Sequence, residues 1–201
     1  MVSGFIGGGS TATPPYRRMM TFIDGENLVF NYQATLKSNI GSPNKKTSHL
    51  TDVYAWHPNT INAHGHEVIR ATYYTFAVGA DEYINDVSKQ IKQLTFLKDY
   101  KSVLPANLRP SVFKKNKQDK KAKGVDIQLT VDILTNVFNN NLDTVLLVTG
   151  DGDFLPIINE IIRNGKQVYL ASFKSGLNSD LINHVDSYIE LDSIYFDIVA
   201  P

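Results

Sequence analysis

The sequence predicts an α/β protein, a three-layer α/β/α sandwich around a mostly parallel central sheet. Two observations carry that prediction. Runs rich in β-branched and aromatic residues alternate with segments whose apolar residues recur every three or four positions, the pattern of strands joined by crossover helices. Two of the strand-like runs also end in acidic turns, Phe22-Ile23-Asp24-Gly25-Glu26-Asn27 and Val148-Thr149-Gly150-Asp151-Gly152-Asp153. Such turns are expected where the carboxyl ends of parallel strands gather on one edge and host a ligand.

The elements follow in order. Residues 1–16, rich in Gly, Ser, Thr and Pro, read as a flexible tail ahead of a single domain over 17–201, with Met19 or Met20 a conceivable start. The tail's glycines follow no strand, so they form no dinucleotide loop. Met19 to Ile23 is a first strand and Leu28 to Leu36 a helix. Asn39 to Pro58 is polar, with Gly41, Pro43 and Pro58, and reads as a long loop within an insertion near 39–66, which Trp56 pins to the body. Val68 to Val78 is a second strand. Asp81 to Tyr100 reads as an amphipathic helix on the spacing of Ile84, Val87, Ile91, Leu94 and Leu97. Val112-Phe113 marks a short third strand. Val125 to Phe138 is a helix with Leu129, Ile133 and Val137 on one stripe and Val131, Leu134 and Phe138 beside it. Thr144 to Val148 is a buried strand, and Phe154 to Arg163 a helix stopped by Asn164-Gly165. Val168 to Ser172, a short helix over Leu177 to Val185, and a last strand over Tyr188 to Leu191 complete the chain.

The 201 residues suffice for one sizeable core. Formal net charge is zero, so affinity for nucleic acid must come from a local patch. There is no cysteine, which excludes disulfides, thiolate zinc sites and cysteine nucleophiles and fits a cytoplasmic setting. No apolar run approaches the roughly 20 residues that span a bilayer, and the N-terminus lacks the basic start and apolar segment of a signal peptide. No membrane partner is expected.

Asp24, Asp151 and Asp153 follow strands, and Asp126 opens the helix after Lys123-Gly124. Two such charges about 6 Å apart at an effective dielectric near 20 repel by roughly 3 kcal/mol. A cluster of them raises its own pKa values or admits a divalent cation, and oxygen-only ligands favour Mg²⁺ or Mn²⁺. Each acid has a plainer reading as well: Asp153 as the cap of the helix from Phe154, Asp126 as a first-turn acid favoured by the helix dipole. Asp24 has little local work of this kind to do.

Phe22-Ile23-Asp24-Gly25-Glu26-Asn27-Leu28, Lys123-Gly124-Val125-Asp126 and Val148-Thr149-Gly150-Asp151-Gly152-Asp153-Phe154 together resemble the NYN (LabA-like) family of PIN-like nucleases, and Gly165 to Val168 and Tyr188 to Leu191 resemble that family's closing strands. The resemblance runs from about Arg18 to Leu191. It implies a metal-dependent RNase fold with Asp24, Asp126, Asp151 and Asp153 in the acidic positions and Asn27 as the polar residue after the first aspartate. Gly152 stands where a serine is common. The expected mechanism places Mg²⁺ or Mn²⁺ on Asp24, Asp151 and Asp153, directly or through water. Asp126 is a further ligand or water-positioner, and Asn27 orients a water or a phosphate oxygen.

Lys114, Lys115, Lys117, Lys120, Lys121 and Lys123 lead into Gly124 and Asp126. They are expected to grip phosphates of single-stranded or structured RNA beside the acids, although such runs are commonly just solvated. Tyr32 is the better base-stacking candidate; of Tyr73, Tyr74 and Phe76, two belong in the core. His57, His64 and His66 cluster without the paired spacing of a metal site. Two other functions compete with the nuclease: a non-catalytic RNA-binding or regulatory module, and a haloacid-dehalogenase-like phosphatase. The latter wants an aspartate where Glu26 stands. A homodimer through the insertion or an edge strand is left open.

Overall fold

Strand register and burial build the fold around a six-stranded sheet, beside which three pairs of short strands form sheets of their own. The computed structural model describes residues 16–38, 41–61, 65–98, 105–115 and 124–198. The first half of the chain runs β1 (Arg17–Asp24), α1 (Gly25–Lys37), β2 (Gly41–Pro43), β3 (Ser48–Leu50), β4 (Tyr54–Trp56), β5 (His66–Ala77), α2 (Asp81–Gln93), β6 (Thr95–Leu97), β7 (Pro105–Asn107) and β8 (Arg109–Lys114). The second runs α3 (Val125–Phe138), β9 (Thr144–Val148), α4 (Leu155–Arg163), β10 (Gln167–Ser172), α5 (Ser179–Ile182), β11 (Ser187–Glu190), α6 (Asp192–Tyr195) and β12 (Phe196–Ile198).

The main sheet has six strands in the order β11-β10-β9-β1-β5-β8, and all its ladders are parallel. Alternate side chains of β1 enter opposite core layers. Met19 and Ile23 pack with Leu28, Val29 and Tyr32 of α1 and Val87 and Ile91 of α2. Met20 and Phe22 pack with Leu129, Ile133 and Val137 of α3 and Ile157, Ile158 and Ile161 of α4. This is the expected three-layer sandwich. Parallel strands buried on both faces are continuous apolar runs, as Val145-Leu146-Leu147-Val148 is.

The order of strands places the site. From β1 the chain moves outward to β5 and β8, then returns to the other side of β1 for β9, β10 and β11. The reversal falls between β1 and β9, so the carboxyl ends of these two strands bound the crevice where open α/β sheets take ligands.

Three expectations differ from what is seen. The helix expected to reach Tyr100 ends at Gln93. Phe96, off the Val87–Ile91 stripe, is the residue that must be buried, and Leu97 is 45% exposed; the chain therefore leaves the helix and pairs Thr95–Leu97 antiparallel with β7. Residues 41–61 are not simply loop: Tyr54-Ala55-Trp56 is a fully buried strand paired with β3. Trp56 does pin this segment, its Nε1 donating to Thr95 O at 2.9 Å. The last strand is β12, which follows β11 and pairs antiparallel with β2.

Candidate active site

Asp24 ends β1 and caps α1. Its Oδ1 accepts from Asn27 N at 3.1 Å and its Oδ2 from Thr149 Oγ1 at 2.9 Å. Only 4% of the residue is exposed. Burial pushes its carboxyl up to about 7, with Asp126 and Asp151 adding to the rise and the two hydrogen bonds opposing it. Asp24 thus does perform local capping work, which the sequence did not suggest.

Asp151 follows β9 and caps the 3₁₀ turn Gly152–Phe154, its Oδ1 accepting from Asp153 N at 2.9 Å. The cap is therefore Asp151 rather than Asp153, because the chain enters α4 through a 3₁₀ turn that contains Asp153. Thr149 joins the two carboxylates: its hydroxyl donates to Asp24 and accepts from Asp151 N at 3.2 Å. Asn27 ties α1 to the same turn. Its Oδ1 accepts from Gly150 N at 2.9 Å and from Asn31 Nδ2 at 3.1 Å. Both of its acceptor sites are then used, and its Nδ2 donor has no hydrogen-bond partner among the described residues.

Asp126 lies in the exposed first turn of α3. Asp24, Asn27, Asp126 and Asp151 line one cleft of about 240 Å³, together with Glu26, Phe30 and Asn31. Asp126, Asp151 and Asp153 line an adjoining cleft of about 160 Å³ with Thr130 and Phe154. The predicted acids thus meet along one crevice, and no Lys or Arg lines either cleft among the described residues. They are spread rather than gathered on a point: among the described residues no three Asp, Glu or His groups stand close enough together to hold a metal ion. The donor set fits a hard cation, being all oxygen, with one carboxylate whose buried charge no side-chain cation offsets.

Three close approaches fix this crevice. A Cβ on Gly150 would lie 2.6 Å from Gly176 O, one on Gly176 (φ +78) 2.2 Å from Asn31 Oδ1, and one on Gly152 2.1 Å from Asn178 Nδ2. Asn178 also donates its N–H to Gly150 O at 2.9 Å. The β9 turn, the turn after β10 and α1 therefore interlock. At Gly152, where the resembled family commonly has serine, the Asn178 amide occupies the space of a side chain.

Other expected residues lie elsewhere. Tyr73, Tyr74, Phe76 and Tyr32 are all buried, so none offers a face to a base. Tyr32 instead stacks on Phe196 at 5.2 Å, inside an aromatic cluster with Tyr195 and Phe173. Phe30, by contrast, is 43% exposed on the rim of the acid cleft. Lys114 pairs with Asp81 at 2.6 Å, and Lys115 Nζ sits 4.1 Å over the Phe76 ring, both at the carboxyl end of β8. Lys117, Lys120, Lys121 and Lys123, the tail over 1–15, and His64 fall outside the described residues. His57 and His66 are buried and bonded, His57 to Asn59 N and His66 to Thr144 Oγ1. Thr149, Asn31, Asn178 and Phe30 are the residues that sequence reasoning missed. Asn178-Ser179-Asp180 carries a helix N-cap signal that pointed to one of them.

A wholly parallel sheet with an acid-lined crevice at its switch point fits a nuclease-type α/β domain of the PIN-like superfamily, to which the family match below assigns the chain and whose members act on nucleic acid and generally use divalent metals. Within it the chain belongs to the NYN domain family, whose model matches residues 18–192. An uncharacterised protein of Methanocaldococcus jannaschii is 39% identical over 70 residues, an alignment that spans 35% of this chain and 29% of that protein. A protein of unknown function from Vibrio parahaemolyticus, seen in a crystal structure, has the same fold at a TM-score of 0.55 and 17% identity, over 90% of this chain and 96% of that one. Among the described residues no helix is long and apolar enough to cross a membrane.

Proposed function

We propose that the chain is a metal-dependent endoribonuclease that hydrolyses RNA phosphodiester bonds in the crevice between β1 and β9. The observation that supports this most is the state of Asp24: a carboxylate buried to 4% exposure, facing Asp126 and Asp151 across a cleft that no cationic side chain lines among the described residues. Such a charge is costly unless a cation or a proton joins it.

Asp24, Asp151 and Asp153 would hold Mg²⁺ or Mn²⁺, directly or through water, with Asp126 as a further ligand or as the residue that positions the water. When bound, the ion supplies Lewis acidity toward a phosphoryl oxygen and a lowered pKa for bound water. The protein's own contributions are separate. Thr149 and Asn27 N fix the Asp24 carboxylate, so its orientation is set before substrate arrives. Asn27 Nδ2, its oxygen already engaged, donates to a non-bridging phosphate oxygen. Asp126, at the open rim, accepts a hydrogen bond from the attacking water and sets its line of attack. Phe30 offers the exposed ring on which a neighbouring base stacks.

The test is cleavage of a labelled circular RNA with Mg²⁺, Mn²⁺ or EDTA. Linearisation is expected with either metal and not with EDTA, and Asp24→Asn and Asp151→Asn are each expected to lower the rate by at least about 100-fold with the fold intact. Binding of RNA without metal-dependent cleavage would instead make the chain a non-catalytic RNA-binding module.

A further inference from the structure

A groove of about 430 Å³ lies on the α3 side of the sheet and shares no lining residue with the acid clefts. Strand register builds its floor. Thr72 of β5 stands opposite Arg109 of β8, and Tyr74 opposite Ser111. Alternate strand residues share a face, so Arg70, Thr72 and Tyr74 line up beside Arg109, Ser111 and Phe113. Its wall is one stripe of α3, Gln128, Asp132 and Asn136, at spacings of four. The groove stays open because β8 is the edge strand. The helix that follows β5, α2, sends Val87 and Ile91 into the opposite core layer.

The charges in this groove are unbalanced. The guanidinium groups of Arg70 and Arg109, both exposed residues, form no hydrogen bond or ion pair among the described residues. The one carboxylate among the described lining residues bonds to neutral donors: Asp132 Oδ2 accepts from Tyr74 Oη at 2.7 Å and Oδ1 from Gln128 Nε2 at 2.8 Å. Two guanidinium forks therefore face a polar groove with a single carboxylate, and neither is paired with it among the described residues. A planar fork of donors matches phosphate oxygens in pairs. The space exceeds that of a bare phosphate and lies in the range of small-molecule sites. Its upper end adjoins the acid region, since the Phe113 ring is 4.0 Å from the place of a Cβ on Gly124, two residues before Asp126.

We propose that this groove is a second nucleic-acid subsite, holding a nucleotide of the strand outside the cleavage crevice with Arg70 and Arg109 on its phosphodiester. The proposal rests on the nucleic-acid reading of the acid crevice for the identity of the ligand, though not on cleavage there. A free nucleotide carries the same chemistry and is the alternative source to be separated.

The experiment measures binding rather than turnover. Anisotropy of a fluorescein-labelled single-stranded RNA is recorded in EDTA across a salt series, for the unaltered chain, the Arg70→Ala/Arg109→Ala double variant and Ser111→Asp. The double variant is expected to bind at least about tenfold more weakly, with a salt slope shallower by about 0.7, the share of the one phosphate of a single strand that the two arginines hold. Ser111→Asp puts a carboxylate within the groove and is expected to weaken binding similarly without removing an arginine. Thermal unfolding midpoints are expected to hold, since neither guanidinium bonds to another group among the described residues. Parallel titrations use adenosine monophosphate and inorganic phosphate. Unchanged RNA affinity and salt slope in both variants overturn the proposal. So does arginine-dependent binding of the mononucleotide with no change for RNA, which makes the groove a free-nucleotide site. Loss of RNA binding in these variants of a chain that never cleaves keeps this subsite and removes the endonuclease reading; cleavage with unaltered binding does the reverse.

Discussion

Asp24 carries a cost that a proton or a bound cation removes. Its native carboxyl lies near 7 against an ordinary 3.8. Below about pH 4 both folded and unfolded chains hold the proton, and the site is neutral with respect to folding. Between about 4 and 7 the native state keeps a proton that the unfolded state releases, so stability falls as pH rises through that window and levels off above it. The gap corresponds to about 4 kcal/mol at most, at about 1.36 kcal/mol per unit. Asp24→Asn, which keeps an oxygen for the Asn27 N–H, is expected to match the unaltered chain near pH 4 and exceed it in melting temperature at pH 8. Adding Mn²⁺ at pH 8 is expected to raise the melting point of the unaltered chain and leave Asp24→Asn unmoved. Scanning calorimetry at both pH values checks this, and a less stable Asp24→Asn at pH 8 would refute it. The position of this residue was legible because the end of a strand is a local feature. Its partner was not: Thr149 is 125 residues away and meets Asp24 only through the β1–β9 pairing.

At the scale of elements, the crevice is held by turns rather than by core packing. The β9 turn meets the turn after β10 at Gly150 against Gly176 O, and Gly152 leaves room for Asn178. Gly152→Ser alone, though it restores the residue common in the resembled family, must displace the Asn178 side chain and is expected to cost about 1–3 kcal/mol. Asn178→Ala should cost less, through loss of the α5 cap to Asp180 N. In the double variant the clash is gone, and most of the Gly152→Ser cost should be recovered. Urea unfolding of the four species measures that coupling; strict additivity would mean that the two turns do not meet as described. Long, single-purpose elements such as β9 and α3 were legible because one periodicity covers them throughout. Where Leu94 and Leu97 continued a helical spacing, burial of Phe96 decided the matter instead, and a one-residue apolar demand leaves no period to read. The β2–β12 pairing, between residues near 42 and 197, has no local signal at all.

Over the whole molecule, a formal charge of zero has to be reconciled with a polyanionic substrate. The charges are segregated along the sheet: acids at the β1–β9 switch point, cations toward the β8 edge, where Lys114 and Lys115 stand at the strand's end and Arg70 and Arg109 face the flank groove. A strand that crosses from one to the other meets repulsion at the acids, which a divalent cation relieves, and attraction beyond them. Two of the six lysines are already engaged, Lys114 with Asp81 and Lys115 over Phe76. The lysines' share of salt-sensitive binding then falls to Lys117, Lys120, Lys121 and Lys123. Replacing these four with serine is expected to raise KM and to flatten the dependence of log affinity on log salt by about 0.7 for each phosphate that no longer meets a lysine. Sequence preference should change little, because phosphate contacts position a strand without reading its bases. Initial rates and anisotropy over a salt series from about 50 to about 200 mM measure both effects. An unchanged slope would leave these lysines as solvated charges and place the whole electrostatic footprint on the β8 edge and its groove.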